Sequence, residues 1–123
     1  MIGYGAVGTN NFEAALDFYD AWFASVGVNR LWRQGHMAAW ARTRAEPAFC
    51  LATPFNALPA RVGNGAMIAL KMTDRQAVDT LHARCLELGG LDGARPGLRG
   101  DHGFYGGYFR HLDGNKLNAY VPA

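Results

Sequence analysis

The chain has 123 residues, half of them apolar, with twelve Lys and Arg against ten Asp and Glu and a formal net charge of +2. That is enough for a single domain with its own core, and the scattered, nearly balanced charge excludes the basic stripe of a nucleic-acid-binding protein. No apolar run reaches the roughly 20 residues of a membrane span, so no membrane partner is expected. MIGYGAVGTNNF lacks the basic and apolar regions of a secretory signal, and Cys50 and Cys85 each sit in an apolar run. The expectation is a reduced, cytoplasmic protein with buried thiols.

In chain order, a short strand is expected over 2–7, followed by a helix with Asn10 and Glu13 at capping-box spacing. Phe12, Ala15, Leu16, Tyr19 and Phe23 recur at helical spacing, and Gly27 can end the helix in a left-handed cap. Strands follow at 28–33, 37–42 and 48–53, the first two joined by RQGH, where Gly35 is free to take positive φ. The stretch 56–65 is a connection, and a strand over 66–72 leads to a second helix. Thr73 and Gln76 form its box, Ala77, Val78, Leu81, Cys85 and Leu88 its stripe, and Gly89 with Gly90 its stop. His82 falls off that stripe and reads as solvated. A less regular stretch, 94–99, precedes strands over 104–111 and 116–121, joined through an Asp-Gly turn.

Asn10 to Thr73, Gly27 to Gly90, Phe18 to Leu81 and Trp22 to Cys85 are one and the same displacement, which marks an internal repeat. Each half reads βαβββ, with module 1 at 1–55, the connection at 56–65 and module 2 at 66–123 of one domain. The fold class is therefore α+β: a curled mixed sheet, a half-open barrel, with both helices outside. Alternation points Ile68, Leu70 and Met72 toward a helix and Met67, Ala69 and Lys71 away from it. In the last hairpin Phe109 is set opposite Asn118 and His111 opposite Lys116, on one face with Tyr105 and Tyr120.

The strand leading into GTNNFEAALDFYDA, the strand in GNGAMIALKM and above all FYGGYFRHLDGNKLNAYV resemble the vicinal oxygen chelate superfamily. That superfamily includes glyoxalase I, bleomycin-resistance proteins and extradiol dioxygenases. The resemblance spans nearly the whole chain and is weakest from 28 to 47. It implies paired βαβββ modules around a site, and commonly a homodimer. Active members hold a divalent metal with His or Glu on the first and last strands of each module. Carried over, those positions fall on Tyr4, near Cys50, on Met67 and on Asn118. The set suits a metal poorly: Tyr4 would have to ionise, Met67 is a soft thioether and Asn118 is a neutral amide in place of a carboxylate. Only Cys50 is a credible ligand, so no metal or other cofactor is expected.

The remaining candidates are weighed as cavity lining against packing. Tyr4, Met67, Tyr105, Phe109 and Tyr120 either line an aromatic cavity or fill it themselves. Lys71 either binds an anionic group or snorkels from a strand end. His102 lies in the Gly-rich stretch RGDHGFYGG and reads either as a cavity residue or as plain loop. The leading expectation is a small-organic-molecule binder with Asn118 orienting the ligand. One alternative is a lyase or dioxygenase-type enzyme with a displaced metal, or with acid–base work by His102 and Tyr105. Another is a filled barrel acting through a partner surface.

Overall fold

The computed structural model describes residues 1–101 and 103–123. The chain divides into two compact units, Met1–Val62 and Gly63–Ala123. The first carries β1 (Tyr4–Gly8), α1 (Phe12–Ala24), β2 (Asn29–Gln34), β3 (Met37–Ala41) and β4 (Ala48–Ala52). The second carries β5 (Ile68–Lys71), α2 (Arg75–Glu87), β6 (Leu91–Arg99), β7 (Phe104–Arg110) and β8 (Lys116–Val121). Each unit is thus the expected βαβββ module. The strands form two four-stranded sheets, ordered β1-β4-β3-β2 and β5-β8-β7-β6, and neither closes into a barrel. In both, the first strand pairs in parallel with the last, and the other pairs are antiparallel.

Both helices start one residue later than their capping-box spacing predicts. The caps are Asn11, whose side chain accepts from the Ala14 N–H at 3.2 Å, and Asp74, which accepts from Ala77 at 2.8 Å. Asn10 instead ties down the connecting segment. Its side-chain amide donates to the Ala60 carbonyl at 3.1 Å and accepts the Ala60 N–H at 2.7 Å, as a neighbouring strand would. α1 turns Ala15, Leu16, Phe18, Tyr19, Trp22 and Phe23 inward. Tyr19 and Phe23 pack on Trp40 of β3 and Phe49 of β4, with ring centroids 4.9 to 5.8 Å apart. The Trp40 indole N–H reaches Asp20 of the same helix at 3.0 Å.

α2 buries Val78, Leu81, His82 and Cys85. His82 is a correction to the sequence reading. It is buried, with Nε2 2.8 Å from Asp92 of β6 and its ring edge-on to Phe109. A carboxylate partner makes a buried imidazole tolerable, and apolar periodicity cannot reveal that partner.

Candidate functional site

Pairing and alternation divide each sheet into a helix-covered and a helix-free face. In the first unit Phe49 and Trp40 meet α1, so their alternating neighbours Tyr4, Cys50, Ala39 and Trp32 stand on the other side. Most side chains there are small: Ala6 and Gly8 on β1, Ala48 and Ala52 on β4. Between them Tyr4, Trp32 and Met37 wall an open concavity of ≈ 320 Å³ with Cys50 at its floor and Arg44 and Glu46 at its rim. Burial raises the Cys50 thiol pKa above its usual value. A second concavity, ≈ 530 Å³, shares Met37 and extends to His36, Pro54 and Phe55. Trp32 and Met37 were not singled out in the sequence. Trp32 follows a register shift between Arg30 and Trp32, and that irregularity hides its facing from simple alternation.

The second unit corrects the hairpin register by one residue. Tyr108 pairs with Asn118, Phe109 with Leu117 and Arg110 with Lys116. The loop takes five residues rather than four. His111 lies inside it, its N–H bonded to the Asn115 carbonyl at 3.2 Å, with Gly114 at φ 86°. A one-residue slip exchanges the two faces of a strand. Tyr105 and Phe109 therefore lie on the α2 side. The Tyr105 hydroxyl donates to Asp79 at 2.6 Å, which raises the Tyr105 pKa, and Phe109 is fully buried against His82. Neither shares a face with Asn118, as the sequence reading had expected.

The helix-free face of this sheet holds Lys71, Asn118 and Tyr120, joined by Tyr108, which takes the place given to Phe109. Asn118 is buried, its amide N–H donating to the Gly107 carbonyl at 3.1 Å. Phe104 lies edge-on to Tyr120 at 6.2 Å, over Gly106, where a Cβ would meet the Phe104 ring at 3.0 Å. Met67 sits just before β5 and is exposed. His102 lies outside the described residues. Among the described residues no three His, Cys, Asp or Glu side chains converge as metal ligands would, and no helix is long and apolar enough to cross a membrane.

No family profile and no curated protein matches the sequence. Solved structures do match. One is a glyoxalase/bleomycin resistance protein from Albidiferax ferrireducens T118, 28% identical, with TM-score 0.88, covering 100% of this chain and 99% of that one. A glyoxalase-related enzyme from Fulvimarina pelagi matches at 19% identity and TM-score 0.77, over 98% of this chain and 87% of that one. A lactoylglutathione lyase from Agrobacterium tumefaciens matches at 21% and 0.70, over 98% and 92%. The resemblance read from the sequence is borne out: the chain has the paired βαβββ fold of the vicinal oxygen chelate superfamily, and its structural neighbours are glyoxalase/bleomycin resistance/dioxygenase proteins.

Proposed function

We propose that this chain binds a small organic molecule and has lost the metal site used by the glyoxalase and dioxygenase members of its superfamily. The observation that carries the proposal is the first unit's concavity, walled by Tyr4, Trp32 and Met37 over Cys50. Its ≈ 320 Å³ lies at the small end of ligand-binding pockets. Its lining offers ring faces and sulfur, which suits a largely apolar or aromatic compound. The donor set argues against a divalent ion. Cys50 is a single buried thiol, Met67 offers only a thioether, and Asn118 offers a neutral amide oxygen in place of a carboxylate. Asn118 retains an amide oxygen able to accept from a ligand on the second unit's helix-free face. The enzyme reading gains nothing from Tyr105, whose hydroxyl is engaged by Asp79 on the helix side.

The test is a thermal-shift screen of small aromatic compounds. A compound present at about 100 times its Kd stabilises the native state by about 2.7 kcal/mol. Trp32→Ala and Tyr4→Ala are expected to abolish most of that shift for compounds seated in the concavity. Stabilisation that survives both variants removes the concavity from consideration. Elemental analysis of protein purified without a chelator or affinity tag tests the metal half of the proposal. About one equivalent of a divalent metal per chain would overturn it.

A further inference from the structure

The second unit's helix-free face carries a charge pattern that the net charge of +2 conceals. By register, Lys71 of β5, Lys116 of β8, Arg110 of β7 and Arg99 of β6 all point to this side, and none of its strand positions carries Asp or Glu. Asp92, the acidic residue of β6, is on the other face, bound to His82. Two of the cations, Arg110 and Lys116, are directly opposite each other in the antiparallel pair. Like charges in that position cost stability. Both residues are exposed, with Tyr108 beside them. The Lys116 ammonium and the Arg99 guanidinium each stand 5.5 Å from the centre of the Tyr108 ring. Asn118, paired with Tyr108, adds a hydrogen-bonding amide at the middle of the face.

We infer that this face binds a small aromatic anion. The flat ring lies against Tyr108, and the carboxylate or phosphate rests against Lys116 and Arg110. The anion offsets the placement of two like charges opposite each other across β7 and β8. A bare anion would gain nothing from the Tyr108 ring, which already faces Lys116 and Arg99, and a neutral ring would gain nothing from the paired cations. The inference names a ligand class for the second unit and does not depend on the first unit's concavity.

The probe is 2-naphthoate, with neutral 2-naphthamide as its isostere, followed by amide chemical shifts of the isotopically labelled full chain. Naphthoate is expected to move resonances of β7 and β8, including the Asn118 side-chain amide, and to bind about tenfold or more tighter than the amide. Lys116→Gln and Arg110→Gln should each weaken naphthoate several-fold and leave naphthamide unchanged. Lys116→Gln should not lower the melting temperature, because it removes one of two opposed cations, whereas Arg110→Gln also gives up the guanidinium bond to the Gly114 carbonyl at 2.7 Å. Equal binding of acid and amide overturns the inference. So does absence of any naphthoate effect at millimolar concentration, or tighter binding of a short DNA duplex than of naphthoate. Shifts confined to Met1–Val62 support the first-unit reading and overturn this one.

Discussion

His111 is the residue whose environment departs furthest from what its sequence position advertises. It is 1% exposed, and burial pushes its pKa down to about 4, with Asp113 at 3.3 Å pulling the other way. Above the ordinary value near 6.5 the imidazole is neutral both folded and unfolded, and contributes no pH dependence. Below it, the unfolded chain takes up a proton that the folded chain refuses. Stability therefore falls as pH drops from about 6.5 to about 4 and levels off beneath that, a span of order 3 kcal/mol. Urea midpoints measured across this range should show the slope in the native chain and a flatter one in His111→Gln. Coincident slopes would mean another group is responsible. Gly90 makes a second residue-scale case. A Cβ there would run into the Cys85 sulfur and meet the Arg110 carbonyl oxygen at 2.9 Å, whereas one at Gly97 meets nothing within 4 Å. Gly90→Ala is expected to cost more than about 2 kcal/mol in chemical denaturation, and Gly97→Ala less than about 1. The buried place of Cys85 was legible because it lies on an apolar stripe. The buried place of His82 was not, because Asp92 supplies its licence from another element.

At the scale of elements, periodicity located both helices and nearly every strand, and it failed where a single residue of offset matters. Thr73 looked like a cap because Gln76 follows at box spacing, yet Asp74 makes the bond to Ala77. Asp74→Ala should cost about 1 kcal/mol, Asp74→Asn much less, and Thr73→Ala close to nothing, as read from thermal unfolding. If Thr73→Ala proves the costlier change, the cap is misplaced. The final hairpin failed in the same way with larger effect. The Asp-Gly pair was found, but loop length could not be counted from it, and one extra residue exchanged Tyr108 for Phe109 beside Asn118. β6 was only partly recognised because its pairing with β7 shifts between Asp92 and Ala94 and again between Ala94 and Gly97. Bulges erase the period-two signature by which a strand is read. Tyr4 and Cys50 did come together, and so did Lys71, Asn118 and Tyr120, because those strands run without such breaks.

Across the whole molecule, the internal repeat is the feature the sequence displayed most openly, and the two units reproduce one strand order with one parallel pair each. Each unit also buries one cysteine. Burial raises both thiols, Cys85 to about 12. A thiol-reactive dye should therefore label the native chain slowly and titrate two groups at once in denaturant. A compound seated over Cys50 should slow labelling there and leave Cys85 unchanged. Rapid labelling of either thiol in the native chain would contradict this burial.

The strand order has a consequence for synthesis. β8 is the last strand of its unit to leave the ribosome, yet it is an interior strand, between β5 and β7. Until it arrives, β5 lacks its parallel partner, and the antiparallel pair of β6 and β7 has an open edge on the side β8 will fill. A nascent chain stalled or truncated before Lys116 therefore holds half-built sheet with strand edges able to recruit other chains, so aggregation is set by the completion of six residues.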